Sequence, residues 1–82
     1  MNEILMRALL QAAAFFELSS DEVLDPDAAV AALEDIAYLL RQLSAAEKKT
    51  LIAFVRAEAE AAESPAYRSF LHDFPEAMLG TT

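Results

Sequence analysis

Seven carboxylates lie between Glu17 and Asp35 with no lysine or arginine among them. They are Glu17, Asp21, Glu22, Asp25, Asp27, Glu34 and Asp35, and they bound the chemistry this chain can attempt. A cluster of acids can hold a hard cation or present a negative surface to a basic partner. A calcium loop of the EF-hand type needs D-x-D-x-D-G spacing and a glutamate at its twelfth position. Asp21, Asp25 and Asp27 have neither that spacing nor the glycine, and Pro26 interrupts them. No metal is therefore expected, and the run reads as a surface. Two of its members also suit a helix start, since Asp25 and Asp27 favour the positive N-terminal end of a helix.

The remaining polar residues offer little catalysis. His72 is the sole histidine, and a general base or metal ligand needs partners that its neighbours do not supply. Ser19, Ser20, Ser44 and Ser64 are accounted for as helix starts, which leaves Ser69 without a nearby base. With no cysteine, thiol nucleophiles, disulfides and zinc ribbons are absent too. The chain is expected to be no enzyme and to need no cofactor. Tyr38 is the informative exception, because tyrosine is over-represented at the centres of protein interfaces. It falls among Glu34, Asp35, Arg41 and Gln42 and would anchor a contact there, unless Phe74, Met78 and Leu79 fold back over it.

The net charge of −8 is concentrated in this region, because the rest of the chain has seven acids against six bases. Such a balance disfavours nucleic acid, whose phosphates need a basic surface, and equally disfavours anionic membranes. No apolar run approaches the ~20 residues that cross a bilayer. Residues 4–16 resemble the core of a signal peptide, but Arg7 and Gln11 interrupt them and no small-x-small cleavage site follows. The expected location is cytoplasmic.

The elements that position these residues are helices. Eighteen alanines and one glycine favour helix throughout, and 82 residues allow a single domain with a modest core. The expected fold is all-α, a small four-helix bundle with three main helices and a short C-terminal fourth. Helix one runs from the cap Asn2 to about Leu18. Its inner face is centred on Leu5, Leu9, Ala12, Ala13 and Phe16, with Glu3 and Arg7 spaced for an ion pair. Ser19 and Glu22 are spaced for a capping box opening a single turn, which Val23 and Leu24 would pin to the core. The segment from Asp25 to Leu43 has an apolar arc of roughly 200°, about twice that of a one-sided helix, so it is expected to be the central helix. Ser44 and Glu47 form a second capping box, opening a helix whose inner face is Leu51, Ile52, Phe54, Val55, Ala59 and Ala62. Ser64-Pro65 opens the fourth helix with a Tyr67, Phe70, Leu71, Phe74 stripe. Pro75 is expected to end or kink it, Gly80 to stop the chain's last turn, and Thr81 and Thr82 to fray.

In size, charge and helix count the chain resembles small bacterial immunity proteins, although it carries no motif of the colicin immunity family. It is also an acidic helical chain of acyl-carrier size, but its second helix opens Asp25-Pro26-Asp27 with no serine to carry a prosthetic group. The immunity-protein resemblance implies an inhibitor that neutralises a basic toxin, as an antitoxin would. The expected contact surface is Asp21, Glu22, Asp25, Asp27, Glu34 and Asp35, anchored by Tyr38. The competing expectation is a structural self-associating bundle, a homodimer or a subunit of a larger assembly, using surplus apolar surface on helix one or helix four.

Overall fold

The computed structural model describes residues 2–80, and four helices hold most of them: α1 (Glu3–Leu18), α2 (Pro26–Leu40), α3 (Ala45–Ala61) and α4 (Pro65–Leu79). No strand occurs among the described residues, and the chain is an all-α four-helix bundle. Thr81 and Thr82 lie outside the described residues.

Each helix opens on a side chain that accepts from its otherwise unpaired first amides. Asn2 Oδ1 accepts from the N–H groups of Ile4 and Leu5 at 2.8 and 3.1 Å. Asp25 accepts from Ala28 N–H at 3.0 Å, with Pro26 at the first helical position. The Ser44–Glu47 capping box is complete: Glu47 N–H donates to Ser44 Oγ at 3.1 Å and Ser44 N–H to Glu47 Oε1 at 2.9 Å. That backbone donor, aided by the Ser44 hydroxyl, holds the Glu47 carboxyl below its ordinary range. Ser64 accepts from Tyr67 N–H at 3.2 Å ahead of Pro65. Gly80 closes α4 at φ 72°, a left-handed conformation in which its N–H reaches Glu76 O at 3.1 Å.

The expected box at Ser19 does not form. Ser19 instead ends α1, its hydroxyl donating to Phe15 O at 2.5 Å, and the turn that follows is made by the Val23 and Leu24 amides on Ser20 O. Val23 is 66 % exposed and Leu24 half-buried, and neither packs against the main core. Two residues separate Leu18 from the turn, too few to return Val23 to the core.

The core is built by α1, α3 and α4. Its fully enclosed side chains are Leu10, Leu51, Val55, Leu71 and Phe74, joined by Met6, Ala13, Ile52, Ala59, Met78 and Leu79. The inner face of α3 is the expected one, with Phe54 and Ala62 at its edges. The placement of α2 is not. It packs against α1 and α4, as a wide arc requires, but it buries no residue completely and is the outermost helix rather than the central one. Leu33, Ile36, Ala37 and Leu40 only lean on a core that the other three helices close. It also stops at Leu40, where Gln42 and Leu43 tighten into bonds three residues back, short of the expected Leu43.

α4 takes the middle position, packing against each of the other helices. It is neither short nor broken: its 15 residues run through Pro75. A proline inside a helix removes one backbone bond and costs about 3 kcal/mol in an isolated helix. Here Phe74, Pro75, Met78 and Leu79 are all buried, and their packing holds the helix together across the missing bond. Tyr67 stacks on Phe70 at 6.1 Å, and Phe70 meets Phe74 edge-on at 5.8 Å.

α1 is rotated by about one residue step, ~100°, from the expected orientation. It buries Met6, Leu10, Ala13 and Ala14, leaving Leu5 and Ala12 outside. Arg7 faces α3 in this orientation. It forms no hydrogen-bonded pair with Glu3 within α1 but reaches α3, donating to Glu58 Oε1 at 2.8 Å while its guanidinium lies 5.4 Å from the centre of the Phe54 ring. The hydrogen bond from Arg7 holds the Glu58 carboxyl below its ordinary range.

Candidate protein-binding site

α2 and the C-terminal half of α4 do not close on one another. Val30, Leu33 and Ala37 recur every three or four residues along the flank of α2 that turns to α4, where Ala77 and Met78 face them. The two alanines have no atoms beyond Cβ to fill the space between the backbones. The result is an open groove of about 650 Å³ with an apolar floor. It continues into a second hollow of about 330 Å³ that shares Glu17, Leu33, Ala77 and Met78 and extends to Ser69, Phe70 and Asp73.

The rim of this groove is acidic at one end and aromatic at the other. Glu17 from the last turn of α1 and Glu34 from α2 flank the floor, while Tyr38, Arg41 and Gln42 border its far end. Tyr38 is 70 % exposed. Ala77 and Met78 therefore lie beside it without covering it. Arg41 is tied down, its Nη2 donating to Ala77 O at 3.4 Å near the end of α4. Among the described residues the one ion pair is Arg7–Glu58, so none of the seven clustered carboxylates is paired with a cation. Their field stays unneutralised at this end of the molecule.

The residues singled out in the sequence occupy three situations. Asp27, Glu34 and Tyr38 fall at i, i+7 and i+11 on the outer face of α2, and the last two stand on the groove itself. Asp21 borders a shallow hollow of about 180 Å³ where Phe16, Leu24 and Pro26 meet, which touches the groove through Glu17, Val30 and Leu33. Glu22, Asp25 and Asp35 line neither hollow. Asp25 is engaged as the α2 cap, Glu22 is exposed in the loop, and Asp35 stands about 100° around the helix from Glu34. Glu17, from the acidic run, and Met78 also line the groove, while Val30, Leu33 and Ala77 complete it and had no separate signal in the sequence. Apolar spacing of that kind marks a core as readily as a groove floor, and only the separation of α2 from α4 tells them apart.

His72 is exposed on the far flank of α4, next to a notch of about 80 Å³ with Arg56 and Pro75. No three His, Asp or Glu side chains among the described residues are grouped to hold a metal ion. No described helix is long and apolar enough to cross a membrane. Comparison with protein-family models, with curated proteins and with solved structures finds no match to this chain.

Proposed function

We propose that this chain is a protein-binding module that neutralises a basic partner by occupying its surface, in the manner of an immunity protein or antitoxin. The observation that supports this reading is the apolar groove between α2 and α4, set at the acidic end of the molecule, with the exposed Tyr38 on its rim. Unpaired carboxylates around an apolar floor are the arrangement that attracts a cationic protein at long range and then holds an apolar side chain at close range. Tyr38 adds a large amphipathic ring at the place where binding energy concentrates. Inhibition by occupancy also asks for no acid, base or nucleophile.

The test is capture of partners from the source cell, with the parent chain and the Asp27→Lys, Glu34→Lys, Asp35→Lys triple variant run side by side at low and high salt. A single stoichiometric basic protein, held by the parent, weakened by salt and lost by the variant, is the expected result. A partner held equally by both, with no salt dependence, overturns the assignment of this surface.

A further inference from the structure

The second surface is on α1 and follows from the rotation of that helix. Burying Met6, Leu10, Ala13 and Ala14 turns Ile4, Leu5, Ala8, Ala12 and Phe15 to the outside. Ile4 is 74 %, Leu5 69 % and Phe15 52 % exposed. Stepping 100° per residue, these five positions fill one contiguous arc that contains no charged side chain. Together these side chains make an apolar patch on the order of 500 Å², at the upper end of what a monomer leaves uncovered and most of the ~800 Å² per partner in a standard interface.

We propose that this face pairs with a second copy of the same chain, α1 against α1 in antiparallel register about a two-fold axis near Ala8 and Ala12. A two-fold interface sets one surface against itself, and here the side chains are large at both ends of the face and small in the middle. The alanines at the middle let the two backbones approach, and the large side chains at the ends then meet, Ile4 and Leu5 of one copy against Phe15 of the other. Charge selects the direction. Glu17 and the acidic loop follow the C-terminal end of α1, so parallel pairing would place two such clusters side by side. Antiparallel pairing holds them a helix length apart, on the order of 24 Å for the 16 residues of α1. The dimer leaves both grooves open, so it stands or falls independently of the binding role given to them.

Sedimentation equilibrium across a range of concentrations, at ~150 mM salt so that like charges are screened, reads the state directly. The parent chain is expected at twice its 9.0 kDa mass. The Leu5→Lys, Phe15→Lys double variant is expected at the single mass with unchanged helical circular dichroism, because both side chains are exposed in the isolated chain. A parent that stays monomeric at millimolar concentration overturns the proposal and leaves the face to a different protein. A double variant that remains dimeric overturns the assignment to α1. Direction is read separately, since the chain has no cysteine of its own. Under mild oxidation, an Ile4→Cys chain mixed with a Phe15→Cys chain is expected to cross-link between the two variants. Ile4→Cys cross-linking to itself overturns the antiparallel register.

Discussion

α2 and α4 begin alike and end differently. Both are 15 residues long, both open on a polar cap followed by proline, and both contact α1. α2 is the more apolar of the two, yet α4 buries Leu71, Phe74, Pro75, Met78 and Leu79 while α2 buries nothing completely. The difference lies in how the apolar side chains are arranged. In α4 they are large, several are aromatic, and they follow a single stripe flanked by Arg68, Ser69, His72, Asp73 and Glu76. In α2 about half are alanine, and they are spread over a wide arc with no one direction in which burial gains most. A narrow stripe of bulk commits a helix to the core, whereas a wide arc of mixed large and small residues lets it remain outside and offer a surface. The groove exists because the second kind of helix lies against the first.

Substitutions can break this comparison, and the largest effect belongs to α4. Phe74→Ala is expected to cost about 3–5 kcal/mol, the range for emptying a fully enclosed aromatic site. A domain of this length has a total stability of roughly 4–12 kcal/mol, so the variant should melt early or not fold. Denaturant titration against the parent measures it. Tyr38→Ala on α2, by contrast, is expected to shift stability by less than ~0.5 kcal/mol while weakening capture of the partner. Equal losses at the two positions would mean that α2 is part of the core after all.

The shared cap separates the helices more finely. Asp25→Ala and Ser64→Ala each remove one side-chain acceptor from a first-turn amide, worth about 1 kcal/mol. Hydrogen exchange should then tell them apart. α2 has no enclosed side chain to hold it, so its amides are expected to exchange faster after Asp25→Ala than those of α4 after Ser64→Ala.

Acid should loosen the molecule at two named places. The Glu58 and Glu47 carboxyls are both depressed, the first by the hydrogen bond from Arg7 and the second by the Ser44 amide. A group whose folded value is depressed contributes stability above its ordinary value, and that contribution is lost as pH falls through the folded value. The melting temperature is therefore expected to decline from about pH 4.5 downward. The decline should be shallower in Glu58→Gln, which has already lost the charged acceptor at every pH. An identical slope in parent and variant would remove the Arg7–Glu58 pair from the account of how α1 is oriented.

The smallest effect is expected at Tyr67. Among the described residues its hydroxyl is buried with no hydrogen-bond partner, and burial raises its pKa. Removing an unpaired buried polar atom relieves a desolvation cost, so Tyr67→Phe should leave the melting temperature unchanged or raise it, by at most about 1 kcal/mol in stability.

The features legible in the sequence are those decided within a few residues. Asn2, Asp25, Ser44 and Ser64 open helices because a side-chain oxygen can reach an amide two or three residues on, whatever the rest of the chain does. Gly80 ends α4 for an equally local reason, being the residue that takes a positive φ without strain. The inner face of α3 was readable because its charged residues leave only one apolar direction. The concentration of charge before and within α2 was readable as well, since it needs only counting.

Tertiary structure alone decided which way the ambiguous helices face. On α1 the apolar residues cover most of the circumference, so periodicity cannot choose a rotation; packing against the other helices chose the one that buries Met6 and Leu10 and sets Arg7 against Glu58 and Phe54. The wide arc of α2 correctly implied two neighbours but could not say that three other helices would close the core without it. Pro75 argued locally for a break that buried neighbours on both sides overrode. The groove has the same origin: Ala37 and Ala77 are forty residues apart, and the space they leave exists only where the fold sets their helices side by side.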